Sequence, residues 1–188
     1  MADKKLAVIF SGIGYHKDKP LLYYSTKLVQ NHGYETIHIE YHDMPQKIRG
    51  NAEMMKLAAE LAFKQTEEQL DSVKFEDYAE ILFIGKSIGT VALAKYVKDH
   101  DIKARQIWYT PVEATFLFAG KDTVAFIGEA DPWSDVNAVI KKAADLGIKL
   151  YTYPDCNHSL ECDDVDRNLT NLREVMKITK EYIEKGSC

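Results

Sequence analysis

Six short apolar runs punctuate the chain: KKLAVIFSG at 4–12, ETIHIEYH at 35–42, EILFIG at 80–85, ARQIWYT at 104–110, TVAFIG at 123–128 and IKLYTYP at 148–154. Each is too short for a buried helix, so each reads as a strand, most of them buried. Between them lie stretches of helical period. In the first, Pro20 suits an early helical position, Gly33 suits a C-terminal cap, and Leu21, Leu22, Tyr24, Leu28 and Val29 supply a core face. The second, over 46–73, carries Met54, Met55, Leu57, Ala58, Leu61, Ala62 and Leu70 among charged residues, the Met pair reading as core filler. Residues 87–100, 135–146 and 164–185 complete five helices. Strict strand–helix alternation predicts a doubly wound, mostly parallel six-stranded sheet with helices on both faces, because a right-handed crossover returns each strand parallel to the last. No repeat or linker divides the 188 residues, so 1–188 reads as one domain.

The formal net charge of -5 offers no basic footprint for nucleic acid. No apolar run approaches the roughly 20 residues that span a bilayer, and MADKKLAVIFSG is apolar too briefly for a signal peptide. A soluble cytoplasmic protein is expected, with Cys156, Cys162 and Cys188 as free thiols.

In open parallel sheets ligands bind beyond the carboxyl ends of the strands. The turn after the third run, IGKSIGT at 84–90, has two chemical readings. A phosphate-binding loop needs glycine five positions before Gly85, and that position is Glu80, whose charge repels phosphate. The other reading is G-x-S-x-G, a sharp strand-to-helix turn that presents Ser87, with small residues on either side so that the turn closes. A serine needs a base, usually a histidine oriented by a carboxylate, in the order Ser, Asp/Glu, His on this architecture. EADPWSD follows the fifth run and DCNHSLE the sixth, which puts Asp131 and His158 in that order. Asp131 competes with Glu129, Asp135 and Glu113 for the carboxylate role, and His16 reads as a solvated loop residue.

Acyl transfer also needs two N–H donors aimed at the developing oxyanion. The N–H of Ile88, after the serine, is one. The loop FSGIGYHKDKP offers the second, Ile13 first and Gly12 behind it. Gly12-Ile13-Gly14 also begins a dinucleotide fingerprint, but its third glycine falls on Lys17, and no cofactor is expected. Cys156, His158 and Cys162 have C-x-H-x3-C spacing rather than that of a zinc knuckle, so no metal is expected either. ECDDVD at 161–166 loads acid onto the start of the last helix, Lys86 reads as solvated, with attraction of an anionic substrate group as the alternative, and Trp108 and Trp133 read as core or pocket wall.

With GKSIG, IGEADPW, NHS and the SGIG loop in place, the chain resembles the α/β-hydrolase family over nearly its whole length. The resemblance implies a minimal, six-stranded, cap-less serine hydrolase. It would cleave small carboxylic esters or related acyl compounds through an acyl-enzyme, with Ser87 as nucleophile, His158 as base and Asp131 as orienting acid, and with no cofactor. A thioesterase or amidase would use the same residues, and a hydrolase-like binding protein would keep the turn without turnover. The chain departs from the family in lacking two strands ahead of the first run, in carrying Ser11-Gly12 where His-Gly is frequent, and in having only PVEATFLFAGKD, 111–122, where many members insert a cap. That segment is too short for a helical lid, so an open site is expected.

Overall fold

The computed structural model describes residues 4–120 and 122–186, which leaves Cys188 outside the described residues. Six strands, β1 (Lys5–Phe10), β2 (Tyr34–Ile39), β3 (Glu80–Lys86), β4 (Arg105–Tyr109), β5 (Thr123–Gly128) and β6 (Lys149–Tyr153), form one sheet in the order β2-β1-β3-β4-β5-β6. Every neighbouring pair is parallel. The helices are α1 (Pro20–Asn31), α2 (Ala52–Leu70), α3 (Ile88–Asp99), α4 (Val136–Asp145) and α5 (Val165–Glu184).

The alternation of strand side chains divides the core in two. Val8, Phe10, Phe83, Trp108 and Ala125 face α2, α3 and α4, meeting Ala58, Leu93 and Val139. Ala7, Ile9, Ile84, Tyr109 and Phe126 face α1 and α5, meeting Leu22, Val29, Val175 and Ile183. Strand order reverses between β1 and β3, so the loops leaving these two strands part company and open a crevice at the carboxyl edge.

The second helix begins six residues later than its periodicity suggests. Gly50 has φ of 74°, and Asn51 then caps the helix by accepting from the Met54 N–H at 3.1 Å. The irregular stretch before it is tied down by Gln65, whose amide exchanges hydrogen bonds with the His42 backbone at 2.9 and 2.8 Å. Asp135 and Asp164 cap α4 and α5 through the Ala138 and Arg167 N–H groups, both at 3.1 Å, so the acidic run at 161–166 serves the start of the last helix. The capless segment folds as a short 3-10 helix, Glu113–Phe118, with Phe116 edge-on to Trp108. Cys156 and Cys162 are free thiols. Among the described residues no helix is long and apolar enough to cross a membrane.

Candidate active site

β3 runs into α3 through Ser87, whose φ of 55° and ψ of -122° lie where residues with a side chain are seldom found. The two flanking glycines make that turn possible. A Cβ on Gly89 would stand 2.4 Å from the Ser11 carbonyl oxygen and 2.8 Å from that of Phe10, and one on Gly85 would stand 2.3 Å from Leu93 Cδ2. Only bare backbone lets the first turn of α3 lie against the end of β1. The turn is pinned on both sides: the Ser87 N–H donates to the Tyr109 carbonyl at 3.0 Å, and the Thr90 N–H donates to the Ser87 carbonyl at 2.8 Å.

Asp131 follows β5 and is buried, its Oδ1 accepting from the Trp133 N–H at 2.9 Å. Its Oδ2 lies 2.6 Å from His158 Nδ1, and His158 Nε2 lies 2.7 Å from Ser87 Oγ. An ionised carboxylate has only acceptors, so Nδ1 carries the proton, and Nε2 then presents its lone pair to the serine hydroxyl. The competing acids are occupied elsewhere. Glu113 Oε1 accepts from the Asp135 N–H at 2.6 Å, Glu129 Oε1 accepts from Thr152 Oγ1 at 2.8 Å, and Asp135 caps α4. His16 is exposed, 3.4 Å from the solvated Asp18.

Two residues hold His158 in place: Trp133, expected from the sequence as core or pocket wall, and Gly128, to which the sequence assigned no part. The His158 ring stacks on Trp133 with centroids 5.6 Å apart and planes 30° apart. Gly128 lets the histidine loop rest on the end of β5, since a Cβ there would stand 2.1 Å from the Cys156 carbonyl oxygen. The signal was present in TVAFIG-EADPW, a strand ending in glycine just ahead of the acid, but its partner loop is contiguous only in space.

Lys86 corrects the expectation of a solvated side chain. It is 1% exposed, with Nζ 5.0 Å from the centroid of the Tyr15 ring. Burial brings its pKa down to about 7, opposed by the Asp131 charge. His158 is in turn held below the ordinary histidine value, first by burial and then by the Lys86 charge, against the pull of Asp131.

The loop after β1 corrects the second-choice oxyanion donor. The Gly12 N–H is spent on the Tyr15 carbonyl at 2.9 Å, while the Tyr15 N–H returns to the Gly12 carbonyl at 3.2 Å. Gly14, with φ of 72°, closes this tight turn and leaves Ile13 at its tip. Neither the Ile13 nor the Ile88 N–H donates to another described residue. Both residues line a small cavity, about 40 Å³, together with Ser87, His158, Trp133 and Met55. Met55 is thus both packed against the core and part of the site wall.

No family model and no curated protein matches the sequence. Solved structures do match the fold. Est1E from Butyrivibrio proteoclasticus aligns with 98% of this chain and 89% of its own at a TM-score of 0.69 and 13% identity. A putative hydrolase of the alpha/beta superfamily from Xanthomonas campestris aligns with 95% of this chain and 99% of its own, at a TM-score of 0.65 and 12% identity. The alpha/beta hydrolase domain-containing protein 10 from mouse covers 98% of this chain and 92% of its own at 0.68 and 11%.

Proposed function

From the α/β-hydrolase fold of this chain, we propose that it is a serine hydrolase that cleaves carboxylic esters through an acyl-enzyme. The observation that carries this reading is the unbroken hydrogen-bonded line from Asp131 through His158 to Ser87, with steps of 2.6 and 2.7 Å. Ser87 Oγ attacks the acyl carbon while His158 Nε2 takes its proton. Asp131 keeps the imidazole in the required tautomer and balances the imidazolium that forms. The negative oxygen of the tetrahedral intermediate receives the N–H groups of Ile88 and Ile13, backed by the positive end of α3. His158 then hands its proton to the departing alkoxide, and a water repeats the sequence to release the acid. No step calls on a cofactor. The ester preference draws on the similar fold of the Pyrococcus furiosus esterase Pf2001, which aligns with 98% of this chain and 83% of its own at a TM-score of 0.64 and 12% identity.

A fluorophosphonate probe tests the reading, because an activated serine attacks phosphorus as it does an acyl carbon. Peptide mapping should find the adduct on Ser87, and Ser87→Ala and His158→Ala should abolish it. An adduct on another serine, or none on folded protein, removes the mechanism.

A further inference from the structure

Beside the Ser87 cavity lies a second, larger one of about 620 Å³ between α2, α3 and the short 3-10 helix. Its walls are apolar: Met55, Ala59 and Phe63 from α2, Val91 from α3, Leu117 and Phe118 from the 3-10 helix. Met55, Ile88 and Val112 line both cavities, so the larger adjoins the space in front of the serine. Resting on the serine-hydrolase reading, we propose that this groove holds the acyl chain of the substrate, a straight, uncharged chain of about eight carbons.

Direction and length come from the helices. Ile88, Val91 and Lys95 lie on one face of α3, and at 1.5 Å per residue the seven-residue path from Ile88 to Lys95 is about 10 Å. On α2 the spacing Met55, Ala59, Phe63 runs alongside it in the same sense, since Phe63 meets Lys95 at the far end. An extended chain of single bonds advances about 1.2 Å per bond, as the three backbone bonds of an extended residue cover roughly 3.3–3.6 Å. About eight carbons therefore fill the path.

The far end is closed to apolar matter. Lys95 Nζ sits 4.1 Å from the centroid of Phe63 and 5.6 Å from that of Phe118, and its charge is paired with Asp99. The rim charges are also engaged: Lys56 lies 3.9 Å from Glu60, and Glu113 accepts from the Asp135 N–H. Each charged side chain among the described residues of the lining thus already has an ion-pair or hydrogen-bond partner, which favours an uncharged chain. The missing cap predicts an open site, and the 3-10 helix Glu113–Phe118 that stands in its place sets Leu117 and Phe118 along the groove as a wall.

The test is kcat/KM on p-nitrophenyl esters from acetate to palmitate, each below its aggregation limit. Full burial of a methylene is worth up to about fourfold, and a groove open on one side gives about twofold per carbon. The ratio should climb tenfold or more from acetate to octanoate, then level or fall. Ala59→Trp, which plugs the groove, and Leu117→Glu, which alters an exposed rim residue with no part in the core, should each lower the octanoate-to-acetate ratio several-fold. Turnover of all esters with a flat series, or a climb unbroken to palmitate, overturns the proposal while leaving the serine mechanism standing. A flat series with a concentration-dependent dimer in sedimentation assigns the groove to a second copy and also overturns it. Absence of both turnover and Ser87 labelling is the separate failure of the hydrolase reading.

Discussion

Replacing Lys86 by methionine should make the protein more stable and, below neutral pH, less active. Lys86 is 1% exposed, and among the described residues no carboxylate lies within ion-pair distance, so its charge is balanced only by the face of the Tyr15 ring and the more distant Asp131. Methionine keeps much of the stem's volume and removes the charge. Burial lowers the lysine from 10.5 to about 7. At 1.36 kcal/mol per unit, carrying the proton in the fold costs on the order of 5 kcal/mol, and about half survives relaxation of the surroundings. For a chain of this length that is roughly 5–10 °C in Tm. The sign in pH is definite. Between pH 7 and 10.5 the unfolded chain binds the proton that the folded chain has released, so wild-type stability rises with pH across that window. The advantage of Lys86→Met should therefore be full at pH 7 and below and shrink toward pH 10. The same change removes a cation that disfavours the imidazolium, so the acid limb of kcat/KM should move to higher pH in the variant. Thermal unfolding by circular dichroism at pH 6, 7.5 and 9.5, with rate profiles on both proteins, measures both effects. A variant less stable than wild type at every pH, or a gap that does not change with pH, would refute the buried-charge argument.

In the wild type the acid limb of kcat/KM should fall below the ordinary histidine value of 6.5, because burial and Lys86 outweigh Asp131; a limb above it reverses that ranking. Asp131→Asn should fold normally and lose about 10³–10⁴ in kcat through the wrong tautomer, whereas Glu113→Gln should stay within a few-fold of wild type. The opposite order in steady-state rates would exchange the two acids. Gly89→Ala should cost about 2 kcal/mol or more in urea unfolding, since its Cβ meets two backbone carbonyls that cannot swing away; a neutral result would show that the end of β1 yields.

The fold was legible because its signals are local. The four central strands are contiguous apolar runs, and the glycines of GKSIG announce a turn wherever they are read. The order Ser87, Asp131, His158 could be read for the same reason, each residue lying just past a strand. Missed features depend on neighbours distant in sequence. That Lys86 is buried depends on Tyr15 folding over it from the β1 loop. Gly12 loses its N–H to Tyr15 three residues on, a turn that the glycines permit but do not dictate. The start of α2 was misread because the apolar period extends back past Gly50, where positive φ interrupts the helix whatever the pattern.

The misfits share one place. Ser87 in a strained conformation, Lys86 buried without a carboxylate, and Gly85 and Gly89 pressed against backbone or core all stand at the carboxyl end of β3. Each alone would be relieved by an ordinary change: glycine at 87, methionine at 86, a looser approach of α3 to β1. The molecule can carry them because the strands beside β3 are saturated with buried contacts, from Phe10 and Ile9 on β1 to Trp108 and Tyr109 on β4. The crevice between the β1 and β3 loops, where a ligand is proposed to bind, is thus also where the strain is gathered. The strained turn aims Ser87 Oγ at His158, and burial together with the lysine beneath it disfavours the charged form of the imidazole. The proposed nucleophile and base account for these features together, which a turn that only joined a strand to a helix would not need.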